Sequence, residues 1–319
     1  MIEFKNVYKD YGQNHALKGI SFKVEKGEIL GFLGPNGAGK STALNILTGY
    51  LSATAGEAFV DGISIFENPI AAKKLIGFLP EMPPLYPEMK VEEYLNFVYD
   101  LKGCTLSRKQ HINDVCGVVK LSHVKNRLIK NLSKGYKQRV GIAQALIGNP
   151  KVLVFDEPTV GLDPKQIIEI RNLVKELGKE HTIILSTHIL PEVQQVCSRV
   201  VVINEGLIVA DESIETLTEA LEGTRRHVAK ICGPEQDVIK LLRSLPALKG
   251  ADIIGRQDAN SVSYLIESDE KIDARVPLFN ALAAKGYALI GLEGVDMSLE
   301  DVFVRLVSNK EKKTEGRRR

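Results

Sequence analysis

The sequence predicts an α/β protein, with a mainly parallel sheet and flanking helices over residues 1–220 and a smaller α/β domain after it. Three observations carry that prediction. Apolar runs at 29–33, 152–155 and 182–185 have no wet face, as strands covered on both sides of a parallel sheet require. Helical patterns at 41–51, 141–147 and 164–177 alternate with those runs, which is the rhythm of βαβ units. Near residue 220 the rhythm shortens.

In chain order, the alternation of Ile2 and Phe4, and of Ile20, Phe22 and Val24, predicts antiparallel strands with one wet face. Tyr11 is placed ahead of the strand pair. The buried strand 29–33 then runs into a glycine-rich loop, and Leu44, Leu47 and Leu51 continue at helical spacing. Residues 56–62 read as a strand ending in a turn. From 91 to about 119 Tyr94, Leu95 and Val98 share one face, so 86–149 is expected to form a helical subdomain. Asn204-Glu205-Gly206 sits between apolar runs as a hairpin turn closing the larger domain.

Beyond it the order strand 227–231, helix 237–245, strands 252–254 and 261–266, helix 276–285 and strand 288–292 predicts a split β-α-β sandwich over 221–308, a small α+β domain expected to regulate or to dimerise. Leu299, Val302, Phe303 and Leu306 mark one face of a last helix, read as packing on its own domain. Residues 309–319 are basic and apolar-poor, a flexible tail that solubilises the chain or touches anionic lipid.

Composition narrows the function classes. The 319 residues are 44% apolar and 26% charged, which excludes fibrous and disordered chains and gives each domain a core. A net charge of +2 with mixed signs exerts no strong pull on nucleic acid, and no nucleic-acid partner is expected. Cys104, Cys116, Cys197 and Cys232 stand singly, without the spacing of a zinc site or redox pair, and are read as reduced, mostly buried thiols. Met1-Ile2-Glu3-Phe4 lacks a secretion-type start and no window reaches about 18 consecutive apolar residues. A cytoplasmic protein is expected, and a transport role would require separate membrane subunits.

Gly34-Pro35-Asn36-Gly37-Ala38-Gly39-Lys40-Ser41-Thr42 matches the phosphate-loop pattern G-x-x-x-x-G-K-[ST] in the required place, after a buried strand and before a helix. The glycines let successive amides turn inward at a helix N-terminus, whose dipole favours anions. Lys40 is positioned for the β and γ phosphates of ATP and the Ser41 hydroxyl for Mg²⁺. The strand 152–155 delivers Asp156 and Glu157 to its carboxyl end, where open α/β sheets bind ligands. Asp156 suits Mg²⁺ through water, and Glu157 suits polarising an attacking water. His188 follows strand 182–185 through Ser186-Thr187 to the same edge, in place to bond the γ phosphate or that water. Tyr11 offers a ring to stack on adenine.

Together with Leu132-Ser133-Lys134-Gly135-Tyr136-Lys137-Gln138-Arg139 and Gly161-Leu162-Asp163, taken in order over 1–210, these motifs resemble the ATP-binding cassette of ABC transporters. The resemblance implies a P-loop cassette with a mixed sheet core, an antiparallel β part and a helical subdomain. It implies two cassettes paired head to tail, each ATP held between one phosphate loop and the partner's signature segment. Ser133 and Gly135 would then contact the γ phosphate bound to the partner, and Asp163 would couple the two sites. Two departures stand out. Lys134 and Tyr136 replace the Gly and Gln of the family's Leu-Ser-Gly-Gly-Gln, with Lys134 expected to add positive charge near the partner's nucleotide. Glu81 replaces the family's sensor Gln, so metal binding is expected through Ser41, Asp156 and Glu81, and nucleotide affinity is expected to depend more on Mg²⁺.

The loop 82–87, with Pro83, Pro84 and Pro87, resembles the family's docking surface for the membrane subunit. A cassette followed by a small domain resembles the ATPases of ABC-2-type exporters. The expectation is therefore an ATP-hydrolysing motor on the inner face of the membrane, paired with a second cassette as a homodimer, with a heterodimer left open. The alternative from the same family is a soluble ATPase acting on ribosomes or DNA. Those proteins usually fuse two cassettes or insert a coiled coil, and this chain has one cassette and no sustained heptads.

Overall fold

A computed structural model describes residues 1–216, 225–258, 261–269 and 272–295. The chain divides into two compact units, Met1–Ile214 and the part from Glu215 onward.

In the first unit β1 (Ile2–Tyr11) and β2 (Asn14–Val24) form an antiparallel hairpin with Tyr11 opposite Asn14, so Tyr11 ends the first strand rather than preceding the pair. With β4 (Ala55–Val60) and β5 (Ile63–Ser64) they make a four-stranded sheet in the order β2-β1-β4-β5. A second sheet holds β3 (Ile29–Leu33), β6 (Ile76–Leu79), β7 (Val152–Asp156), β8 (Thr182–Thr187), β9 (Arg199–Asn204) and β10 (Leu207–Ser213). Its order is β10-β9-β3-β8-β7-β6, parallel except for the β9–β10 hairpin. All five β7 residues and all six β8 residues are buried, which explains their lack of alternation. The sheets share one core, where Phe4 stacks on Phe22 at 4.5 Å and Phe22 on Phe32 at 5.4 Å between centroids. Replacing a buried ring such as Phe22 by Ala removes about 3–5 kcal/mol.

Helix α1 (Lys40–Leu47) stops four residues short of the expected Leu51. Thr48 caps it and Gly49 turns to φ 69, while Leu51 packs half-buried against the core by another route. The helical stretch from 91 contains two helices, α3 (Val91–Leu101) and α4 (Arg108–Val118), separated at Gly103, φ 56. Before them, α2 (Pro69–Lys74), β5 and β6 were too short for a periodic signal. A 3₁₀ turn at Ile129–Asn131 leads into α5 (Lys134–Leu146), and α6 (Pro164–Leu177) and α7 (Leu190–Val196) cover the sheet further on.

The second unit orders β11 (Arg225–Cys232), α8 (Glu235–Ser244), β12 (Leu248–Asp258), β13 (Ser261–Ser268), α9 (Arg275–Ala284) and β14 (Ala288–Gly294). Its sheet, β12-β13-β11-β14, is antiparallel throughout, as in an α+β domain. The split β-α-β order is present. Val238 and Leu242 of α8 and Leu278 and Leu282 of α9 join Tyr264 and Ile266 in its core. The expected helix through Leu299 and the basic tail lie outside the described residues. Of the four cysteines Cys116 and Cys197 are buried, Cys104 and Cys232 half-buried, and all are free thiols.

Candidate active site

The site is built where β3, β7 and β8 end together. In the loop after β3, Gly34 N–H donates to Thr187 O at 3.4 Å and Ala38 N–H to Pro35 O at 3.2 Å. Gly37 and Gly39 adopt φ 81 and φ 108, and a Cβ on Gly39 would stand 2.7 Å from Ala16 O. Only glycine fits that bend, and it aims the amides at one point. Helix α1 then begins with no side-chain cap and no acidic residue in its first turn, so its N-terminus is open to an anion.

Strand register sets the next pair. Asp156 lies opposite Ser186 in the parallel β7–β8 ladder, so Glu157 and His188 emerge at the same edge. Glu157 takes the left-handed φ of 48, unusual for a side-chain-bearing residue, and its N–H donates to Ser186 O at 3.1 Å. Both its carboxylate oxygens lie 3.0 Å from His188 Nδ1, and Oε1 is 3.4 Å from Lys40 Nζ. The Lys40 ammonium also donates to Gly34 O at 2.7 Å and Pro35 O at 3.1 Å. Lys40 and Glu157 are 5% and 6% exposed, so each neutralises a charge that would otherwise be buried unpaired.

Asp156 ends β7, one residue before Glu157. It is buried, and its Oδ1 is one of few buried side-chain atoms among the described residues without a hydrogen-bond partner. Burial pushes its carboxyl above the usual range, while the neighbouring Ser41 and Ser186 hydroxyls act in the opposite sense. An orphaned carboxylate oxygen beside a hydroxyl is a hard-oxygen donor set that fits Mg²⁺. No group of three or more His, Cys, Asp or Glu residues that could hold a metal ion is gathered among the described residues.

These residues face a cleft of about 740 Å³, whose lining includes Asn36, Gly37, Gly39, Lys40, Ser41, Thr42, Glu157 and His188. Tyr11, half exposed, stands at its rim with Lys9 Nζ 5.1 Å from the ring centroid. Glu81 lines it too, two residues past β6, which runs parallel to β7. Gly34, Pro35, Ala38 and Asp156 are not among its lining residues. Sequence reasoning missed Asn14, His15, Ala16, Lys18, Val160, Glu205 and Gly206, which also line it. The turn at Glu205-Gly206 was legible, but its destination was not: Gly206 N–H donates to Ala38 O at 3.0 Å, and Lys18 N–H to Gly206 O at 2.9 Å.

Ser133, Gly135 and Asp163 do not line the cleft. They gather instead at the N-termini of α5 and α6. Ser133 Oγ accepts from Tyr136 N–H at 3.4 Å and Asp163 Oδ1 from Gln166 N–H at 2.9 Å. The Gln166 amide lies over Gly135, where a Cβ would meet its Oε1 at 2.4 Å, and buried Arg139 pairs with Glu169 at 2.5 Å to fix one helix against the other. Lys134 folds its ammonium onto Gly161 of its own chain. A separate groove of about 670 Å³ is lined by Tyr50, Lys73, Phe78, Met82, Pro84 and Lys102 among others, with Tyr50 and Met82 strongly exposed.

A family model described as ABC transporter matches residues 17–160. Over 195 residues the chain is 42% identical to ABC transporter A family member 1 of Dictyostelium discoideum, covering 61% of this chain and 22% of that much longer protein. Over 312 residues it is 33% identical to Nod factor export ATP-binding protein I of Burkholderia thailandensis, covering 96% of each chain. Among solved structures it is similar to the dimeric post-hydrolysis state of the ATP-binding cassette MJ0796 bound to ADP and Pi, at 29% identity and TM-score 0.61 over 67% of this chain and 99% of that one. The phosphate loop, the strand-end carboxylates and the near full-length match agree: the chain belongs to the ABC transporter family, as one of its ATP-binding, ATP-hydrolysing subunits.

Proposed function

We propose that two cassettes close head to tail around two ATP molecules and, through separate membrane subunits, drive export. The observation that carries this reading is the division of the motif residues into two sets. One set faces the cleft; Ser133, Gly135 and Asp163 sit at two helix N-termini outside it. A helix N-terminus with free amides suits a phosphate, and the phosphate that fits this one belongs to a second cassette. The partner is a second copy or a close relative.

Within the cleft, the loop amides and Lys40 hold the β and γ phosphates, and Tyr11 stacks on the base. Mg²⁺ held by Ser41, Asp156 and Glu81 would neutralise charge on the phosphate oxygens. Glu157 orients and polarises the attacking water, and His188, bonded to both its oxygens, holds that carboxylate in place and faces the γ phosphate. Lys40 leaves Glu157 for the phosphate as ATP enters.

The apolar groove around Tyr50, Met82 and Pro84 is the docking surface for the membrane subunit, supported by its exposed apolar side chains. No helix among the described residues is long and apolar enough to cross a membrane, so attachment to the inner face runs through that partner. Export follows the resemblance to ABC-2-type systems and the relative named for Nod factor export.

The test is Glu157→Gln with saturating Mg²⁺-ATP. It should retain nucleotide and shift the protein from monomer to dimer on a sizing column. A variant that binds ATP yet stays monomeric counts against the shared site, and recovery of ribosomes instead of integral membrane proteins on native purification would overturn the transport assignment.

A further inference from the structure

The catalytic edge is held by a carboxylate outside the cleft. Glu192, in the first turn of α7, is 3% exposed, and its Oε2 accepts from Thr159 Oγ1 at 2.9 Å and from Thr187 Oγ1 at 3.0 Å. Both threonines are buried, at 4% and 0% exposure. Thr187 Oγ1 in turn accepts from Ile189 N–H at 3.1 Å, so the hydroxyl is used as donor and acceptor at once. Thr187 immediately precedes His188, and Thr159 lies two residues after Glu157.

A single oxygen atom therefore joins the two segments that carry the Glu157–His188 pair. Thr159 also opens the turn in which Leu162 N–H returns to Thr159 O at 3.2 Å, one residue before Asp163. Burying a carboxylate this deeply is unfavourable without hydrogen-bond donors, and charge-assisted bonds to two fixed hydroxyls are the compensation. Nothing in the fold of α7 requires an acid here, since Leu190, Val193 and Val196 already supply its buried apolar face.

We infer that Glu192 is a positioning residue for ATP hydrolysis: it clamps the segments carrying Glu157 and His188 at the separation the water-activating pair needs, while Lys40 moves from Glu157 to the phosphate. The inference rests on the assignment of Glu157 and His188 proposed above. Glu192 does not line the cleft, so its effect belongs to the chemical step and not to binding.

The test measures steady-state ATPase of the full chain with Mg²⁺-ATP. Glu192→Ala should lower kcat by about 30-fold, the scale of a misplaced catalytic group. KM for ATP should stay within about threefold. Glu192→Gln, whose amide oxygen still accepts from both hydroxyls, should recover most of the loss. If Glu192→Ala does not fold, the volume-matched pair Thr159→Val and Thr187→Val carries the same test. An unchanged kcat, or equal loss of kcat and ATP affinity without recovery by Gln, overturns the inference. Glu157→Gln is run alongside: if it is inactive while Glu192→Ala is normal, only the clamp fails, whereas an active Glu157→Gln removes the catalytic assignment itself.

Discussion

Lys40 Nζ lies 3.4 Å from Glu157 Oε1, so the lysine of the phosphate loop and the carboxylate at the strand end neutralise each other in a buried contact. In the proposed reading nucleotide phosphate competes with Glu157 for that ammonium, which would couple ATP arrival to release of the carboxylate. Lys40→Ala should weaken ATP binding by about 10- to 100-fold, the loss of one charge-assisted contact, read by calorimetry. It should also lower the unfolding free energy of the nucleotide-free protein by about 1–3 kcal/mol, because Glu157 stays buried with His188 as its remaining partner. Normal affinity in this variant would refute the phosphate-loop assignment.

Ser133→Ala and Gly135→Ala should separate binding from turnover. A Cβ at Gly135 meets the end of the flexible Gln166 side chain, so folding is little disturbed. Fluorescent-nucleotide titration should give monomer affinity within about twofold of the parent. ATPase activity should fall by about tenfold or more if, as proposed, these residues act on the partner's nucleotide. Equal weakening of monomer binding would place them in their own chain's site.

Glu81 lines the cleft where a neutral amide is the family pattern. Its carboxylate favours a divalent cation and repels an unmetallated triphosphate. Glu81→Gln should therefore narrow the ratio of ATP affinities with Mg²⁺ and with chelator, chiefly by tightening the metal-free complex. An unaltered ratio in paired titrations would show that Glu81 does not sense the metal.

Lys102 donates to Gln144 O, Ala145 O and Ile147 O at the carboxyl end of α5, and burial pushes its ammonium down to about 8. An unfolded lysine titrates near 10.4. Between these values the unfolded chain holds a proton that the folded chain has released, so this group's contribution to stability rises with pH across that window. Melting temperatures of the parent and Lys102→Met, followed from below pH 8 to pH 10, should diverge in favour of the parent. A constant difference would mean that Lys102 titrates as an ordinary lysine.

The larger domain was legible because its signals are local. Runs such as 152–155 and 182–185 announce buried strands by lacking a polar face, and the phosphate loop states its chemistry in nine consecutive residues. Short elements were not legible: β5 has two residues and α2 six, too few for a period, and α1 ends before Leu51 because a turn at Gly49 overrides continued helical spacing. The strand order β12-β13-β11-β14 of the second domain depends on which strands meet, and the order of elements along the chain leaves that open.

By itself, then, the sequence determined the family and with it ATP binding, the phosphate-loop pattern after a buried strand, and the two carboxylates at a strand end, because those features are consecutive residues with fixed local geometry. Tertiary structure alone decided what stands beside them. Parallel register at Asp156 and Ser186 brings Glu157 to His188, the hairpin at Glu205-Gly206 reaches Ala38, and α7 delivers Glu192 to two threonines 33 and 5 residues away. Such contacts join residues far apart in the chain, so they exist only once the sheet has closed and buried them together.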